Sequence, residues 1–113
     1  MIGHIALFTA LTDPARFRIV EYLRNGESSV TDVVRASRIQ QSGVSRHLGI
    51  LRDAGIVTVR RDGQRRLYSL RPEPFTEAAS WIDDVRATWE PRLERLENEL
   101  TRRATPNSAT KED

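Results

Sequence analysis

Apolar residues along this chain keep a helical rhythm through the first half, alternate briefly, and then return to a helical rhythm. The run Ile5, Ala6, Leu7, Phe8, Ala10 and Leu11 is too apolar to stand in water alone and predicts a short N-terminal helix that needs a partner. Asp13-Pro14 predicts the start of a second helix: the carboxylate caps it, and proline takes the first helical position, where its missing N–H costs nothing. Phe17, Val20, Tyr22 and Leu23 recur at helical spacing before Asn25-Gly26 ends the pattern. Ser28, Ser29 and Thr31 are cap candidates for a shorter third helix. Its expected buried side is Val30, Val33, Val34 and Ala36, and its end lies near Ser37. A tight connection through Arg38, Ile39 and Gln40 leads to a fourth helix, from Gln41 or Ser42 to Ala54. Its apolar positions are Val44, Leu48, Ile50 and Leu51, and Gly55 terminates it.

Beyond Gly55 the period changes to two. Ile56-Val57-Thr58-Val59, then Asp62-Gly63, then Leu67-Tyr68-Ser69-Leu70 predict a β-hairpin around a favourable turn dipeptide. A long helix follows, from Phe75 to about Arg103, in which Trp81, Val85, Trp89, Leu93, Leu96 and Leu100 draw one continuous stripe. Pro91 lies inside it and predicts a kink or break near Thr88 to Glu90, because it removes a helical donor and crowds the carbonyl of Ala87. The expected fold is mainly α with a small β-hairpin, in the order α1-α2-α3-α4-β-β-α5. One domain is expected over residues 1–104, followed by a polar, disordered tail over 105–113.

Length and composition narrow the function classes. At 113 residues the chain suits one small core, which disfavours a two-domain enzyme or a large ligand cavity. It has no cysteine, so disulfides, thiolate metal sites and thiol redox chemistry are excluded. No membrane-spanning stretch or signal-like N-terminus is visible, and a cytoplasmic location is the simplest expectation. There is no phosphate-cradling glycine loop, no HExxH and no convincing Ser-His-acid set. The vicinal Asp83-Asp84 diverge around a helix and form no carboxylate dyad, so no enzyme activity and no cofactor are expected.

The net charge of +2 conceals an uneven distribution. Residues 35–71 carry nine arginines against two acids, whereas both flanking segments are net acidic. A basic middle third is the footprint of a polyanion partner, although a charged stretch is sometimes only a solvated face. Two short helices joined by a tight turn and followed by an arginine-tipped hairpin have the layout of a winged helix-turn-helix reader of double-stranded DNA. If Val44, Leu48 and Leu51 face the core, Gln41, Ser42, Ser45, Arg46 and Gly49 turn outward near the start of the fourth helix, the end that enters a major groove. Gln suits adenine, Arg suits guanine, and Ser suits a base or a phosphate. Arg60, Arg61, Arg65 and Arg66 cannot all point inward, because strand residues alternate. Arg61 and Arg65 are the favoured phosphate or minor-groove contacts, against the plainer reading of a charged edge strand.

Three stretches carry a resemblance. Leu11-Thr12-Asp13-Pro14-Ala15-Arg16-Phe17-Arg18-Ile19-Val20 resembles the opening signature of the ArsR/SmtB family of bacterial transcriptional regulators. Gln41-Ser42-Gly43-Val44-Ser45-Arg46-His47-Leu48 resembles its recognition helix, and Leu51-Arg52-Asp53-Ala54-Gly55-Ile56-Val57 its passage into the wing. The resemblance implies a repressor that binds a palindromic operator as a homodimer through its terminal helices, here Ile5 and Phe8 with Trp81, Val85, Trp89, Leu93 and Leu96. It also implies a DNA contact for His47, whose alternative is a half-buried helix residue. Many family members sense metals through Cys in the third helix or through Asp and His in the last. This chain has neither pattern, and so looks like a cysteine-free branch with no assigned metal site and an effector left unknown. Two alternatives remain open: a metal site built from His4 with an Asp or Glu of the last helix across a dimer interface, and a protein-interaction module that binds no DNA.

Overall fold

A computed structural model describes residues 3–104. The elements run α1 (Gly3–Leu11), α2 (Pro14–Leu23), β1 (Ser28–Ser29), α3 (Val30–Ser37), α4 (Gln41–Asp53), β2 (Val57–Asp62), β3 (Arg65–Leu70) and α5 (Pro72–Ala104). The expected tail over 105–113 lies outside the described residues. The chain divides into two compact units, the first ending at Ala79 and the second beginning at Ser80, within α5.

The helix starts follow the capping chemistry. Asp13 Oδ1 accepts from the backbone N–H groups of Ala15 (2.8 Å) and Arg16 (3.2 Å), with Pro14 opening the helix behind it. Ser29 Oγ accepts from Asp32 N–H at 3.2 Å and caps α3. Gly55, at a φ of 78°, ends α4 and lets Ile56 N–H reach back to the Leu51 carbonyl at 2.9 Å. The hairpin pairs Val57 with Leu70 and Asp62 with Arg65, closing on Gly63-Gln64 with Gly63 at a φ of 65°. Positive φ at the first central residue of a two-residue loop is the type II′ arrangement, whose twist matches paired strands. The sheet has a third strand that the residue pattern does not announce. Ser28 and Ser29 pair with Tyr68 and Leu67 in the order β1-β3-β2.

The core of the first unit is apolar throughout. Ile19 from α2, Val33 from α3, Val44, Leu48 and Leu51 from α4, and Ile56 are completely buried, with Leu7, Ala10 and Ala78 packed around them. Three positions expected inside are exposed: Phe17, Ala36 and Ile50. At about 100° per residue, Phe17 falls well off the centre of the Ile19–Val20–Leu23 stripe, and Ile50 falls equally far from Val44–Leu48–Leu51. Ser37 takes the inward place in α3 instead of Ala36.

In the second unit, no described residue from Ser80 onward is buried, and Trp89, Leu93, Leu96 and Leu100 are each at least half exposed. The break expected at Pro91 does not occur, because α5 continues through it. The missing N–H deprives only the exposed Ala87 carbonyl, which water can satisfy. The turn is held by an Arg86–Glu90 ion pair at 2.8 Å and by the Thr88 hydroxyl donating to the Asp84 carbonyl at 3.1 Å.

The burial map gives a direct contrast on one helix. Leu48→Ala is expected to lower unfolding stability by about 2–5 kcal/mol, as large-to-small changes in a packed core do. Ile50→Ala, two residues away, is expected to cost less than about 1 kcal/mol. Urea unfolding followed by far-ultraviolet circular dichroism measures both, and equal losses would contradict the assigned faces.

Candidate nucleic-acid interface

The turn between α3 and α4 is set by backbone conformation and small side chains. Arg38 occupies the left-handed region (φ 60°, ψ 22°) and closes α3 by donating its N–H to the Val34 carbonyl at 3.0 Å. Ile39 N–H donates to Ser37 Oγ at 3.2 Å. The Ile39 side chain then lies over Gly43, where an added Cβ would meet Ile39 Cγ2 at 3.0 Å. α4 therefore leaves the turn at an angle that a larger residue at 43 would disturb.

Unlike α2 and α3, α4 begins without a side-chain cap. Gln40 is extended and makes no capping hydrogen bond, so the first N–H groups of α4 have no side-chain acceptor. With the helix dipole behind them, such donors favour an anion. The four residues expected to read DNA from this end, Gln41, Ser42, Ser45 and Arg46, are all exposed, and Gly49 is partly exposed on the same side. Arg46 has no ion-pair partner among the described residues.

His47 is placed differently from the other expected DNA contacts. Its residue is only 5% exposed, and Nδ1 is buried with no hydrogen-bond partner among the described residues. It lies on the inward stripe with Val44, Leu48 and Leu51, so it does not share the outward face of Ser45 and Arg46. Burial pushes its pKa below the ordinary imidazole value. The charge of Arg46 and, more weakly, that of Arg16 act in the same sense, and Asp13 opposes them. Positions 44, 47, 48 and 51 form an unbroken inward pattern, which is the signal in the sequence that could have placed it.

At the wing the arginines separate into two kinds. Arg60 is held by Glu27 through a bidentate contact, Nε at 2.7 Å and Nη2 at 2.8 Å. That hydrogen-bonded pair raises the Arg60 pKa. Arg65 is exposed but bonded to Asp62 at 3.1 Å, its partner across the turn. Arg61 and Arg66 are exposed Cα partners on opposite strands, and neither has an ion pair among the described residues. Like charges facing each other across a hairpin are destabilising, and an anion between them removes that cost. Strand alternation puts both on the face of Val59 and Tyr68, and a shallow hollow is lined there by Arg52, Val59, Arg60, Arg61 and Arg66. Thus Arg61 and Arg66 are the hairpin-tip arginines without an internal ion pair among the described residues, Arg65 is bonded to Asp62, and Arg52, which lines the same hollow, lies 3.5 Å from Asp53. The register fixed by the Gly63-Gln64 turn is the signal that identifies Arg66.

Ile5 and Phe8 are exposed on α1. In the second unit Trp81, Trp89, Leu93 and Leu96 are exposed and Val85 is partly so. His4 Nδ1 lies 3.8 Å from Glu77 Oε2 within one chain, and its ring meets Phe8 edge-on at 6.1 Å. Among the described residues, no cluster of three or more His, Cys, Asp or Glu side chains is placed to hold a metal. Nor is any helix among them long and apolar enough to cross a membrane.

Comparison with known proteins agrees with this geometry. Residues 13–59 match the model of the bacterial regulatory protein, arsR family. The transcriptional repressor SdpR of Bacillus subtilis is 30% identical over 76 residues, covering 67% of this chain and 84% of that protein. The regulator NmtR of Mycobacterium tuberculosis is 44% identical over 76 residues, covering 67% of this chain but only 61% of its own length. Among solved structures, an ArsR family transcriptional regulator superposes with a TM-score of 0.70 at 25% identity, covering 78% of this chain and 97% of the other. The repressor BigR from Xylella fastidiosa gives 0.59 at 31% identity, covering 74% and 83%. The helix-turn-helix, the arginine-bearing wing and these matches agree: the chain belongs to the ArsR family of bacterial transcriptional regulators.

Proposed function

We propose that this regulator is a repressor that binds a palindromic operator in double-stranded DNA as a homodimer, with α4 in the major groove and the wing on the adjoining backbone. The observation that carries this reading is the pairing pattern of the arginines. Carboxylates inside the protein take Arg60 and Arg65, while Arg46, Arg61 and Arg66 remain for an external anion. Gln41, Ser42, Ser45 and Arg46 read base edges, and the open α4 N-terminus and the hollow bearing Arg61 and Arg66 take phosphates. Operator binding places the protein's work in the cytoplasm, over residues 1–104 as a functional unit. The exposed apolar residues of α1 and of the second unit form the two-fold interface, since each large apolar side chain fully buried by a second copy contributes about 1.5–3 kcal/mol. The relatives' names include mercury and arsenic resistance, but no metal cluster is formed by the described residues, and the effector is left unassigned.

A salt-titrated gel shift on the duplex upstream of the protein's own gene tests this reading, with no preference over random duplex as the outcome that rejects it. Arg46→Ala is expected to cost about 1–3 kcal/mol of operator affinity and to relax the base preference at one position. Arg61→Ala with Arg66→Ala is expected to weaken all duplexes alike and to lower the salt slope by about two, at roughly 0.9 for each phosphate no longer neutralised. Arg60→Ala, whose side chain is held by Glu27, is expected to leave that slope unchanged. A protein-interaction module would bind its partner without responding to any of these changes.

Gly49 gives an independent check. An added Cβ there meets nothing within 4 Å, so Gly49→Ala is expected to stabilise the free protein by about 0.5–1 kcal/mol through helix propensity. Because position 49 lies on the outward side of α4, the same change is expected to weaken operator binding several-fold. Thermal unfolding and the gel shift should therefore move in opposite directions.

The dimer is tested by charge. Trp89→Glu with Leu93→Glu puts two carboxylates on the exposed stripe and is expected to yield a monomer by sedimentation equilibrium. A dimer of unchanged affinity would remove α5 from the interface.

A further inference from the structure

The DNA-reading helix contains one buried ionisable group that its proposed function does not use. His47 lies on the inward stripe of α4 with Val44, Leu48 and Leu51, near Asp13 and Arg16 of α2 and its cap. We propose that His47 is a proton-operated latch: with its ring neutral and packed inside, it holds α4 in the reading position, and proton uptake expels the ring, loosens α4 and releases DNA. The proposal rests on the operator-binding reading above and supplies a mode of regulation for that site.

The surroundings leave a charged imidazole no good partner. From α2 and its cap, the groups that face the ring are Asp13 and Arg16, and from its own helix Arg46. Two of the three are cations. The third, Asp13, is already committed: Oδ1 accepts the N–H groups of Ala15 and Arg16, and Oδ2 lies 3.8 Å from Arg16 Nη1. Those contacts hold the Asp13 carboxyl below its usual pKa. Turning that carboxylate toward an imidazolium would uncap α2, and leaving it in place would bury an unpaired imidazolium beside the Arg16 cation. Nδ1, without a hydrogen-bond partner inside, gains a donor or acceptor only when the ring reaches water.

The direction of the pH effect follows from linkage. The packed ring has a pKa below the ordinary value near 6.5 that it regains when released. The stability contributed by the neutral ring is therefore complete above that value and is lost as pH falls from it through the packed value. Between the released and the packed values, the ratio of expelled to packed ring rises about tenfold for each pH unit that the pH falls. The background is simple, because the chain has two histidines and no cysteine.

The test uses the full-length protein at constant ionic strength, with three readouts between pH 7.5 and 5.0. These are affinity for the upstream duplex, the urea midpoint, and hydrogen exchange of the α4 amides in the wild type. Expected are a fall in affinity of at least tenfold, a lower midpoint and faster α4 exchange at pH 5.0. His47→Gln should hold affinity within twofold across the range, and His4→Gln should follow the wild type. If His47→Gln does not fold, His47→Phe keeps an apolar ring in place, and the wild-type exchange data decide without any variant. A pH-independent midpoint with unchanged α4 exchange overturns the latch, as does an acid loss that persists in the His47 variants. If the duplex is not bound even at pH 7.5, the operator reading fails, while the midpoint and exchange still decide whether His47 holds α4.

Discussion

Everything on the DNA-facing side depends on the inward stripe of α4. Val44, Leu48 and Leu51 are completely buried against α2 and α3, and their burial fixes the rotation of the helix about its own axis. Rotation decides which residues face outward, so the proposed reading set is a by-product of core packing. A slip of one position would send Gln41, Ser45 and Arg46 elsewhere and bring Ile50 inward. Gly43 has the second controlling role, because Ile39 packs over it and sets the angle at which α4 leaves the turn. Specificity in such a small domain comes from hydrophobic contacts that never meet the ligand.

Electrostatics then divides the arginines. The basic stretch owes its field to nine arginines, but several are neutralised by nearby carboxylates: Arg60 by Glu27, Arg65 by Asp62, and Arg52 at longer range by Asp53. An exposed ion pair contributes little stability, so these contacts matter more for orientation than for folding energy. Glu27 reaches across from the loop before β1 and steadies the wing from outside, leaving the inner face to Arg61 and Arg66. That face is the one continuous with Val59 and with Arg52 of α4, so the free positive charge lies beside the reading helix.

Much of this was legible from residues. Asp13-Pro14, Ser29 and Gly55 each announce a helix end by chemistry that operates within three or four positions, and the structure uses all three. That Gln41, Ser42, Ser45 and Arg46 face outward followed from knowing which positions were buried. The failures have a different origin. β1 is two serines long, too short for any period, and exists because Leu67 and Tyr68 offer it an edge. Phe17 and Ile50 are apolar and close to their stripes, but closeness in sequence does not measure the angle to the core. His47 suggests a DNA contact by its chemical type, whereas its position in the 44–47–48–51 pattern points inward. Arg66 needed the strand register, which depends on whether the turn's central pair begins at Asp62 or Gly63. Pro91 shows the limit of a local rule: an exposed helix tolerates a lost donor that a buried one would not.

The two units differ in what holds them together, and that difference bears on assembly. The first has a closed apolar core and needs nothing beyond itself to bury Ile19, Leu48 or Ile56. The second is helical from Ser80 to Ala104 with no buried side chain, and isolated helices gain little stability from their own hydrogen bonds. Its ion pairs, Arg86 with Glu90 and Glu99 with Arg102 and Arg103, add only tenths of a kcal/mol each, roughly, on an exposed surface. The stabilisation available to this segment lies in Trp89, Leu93, Leu96 and Leu100, and it is realised only when another surface covers them. A second copy offers the same stripe by symmetry, and a two-fold axis also presents two α4 helices to the two halves of a palindrome. In the proposed dimer, folding of the C-terminal segment, dimerisation and operator recognition form one coupled equilibrium, so a change that loosens any one of them weakens the other two.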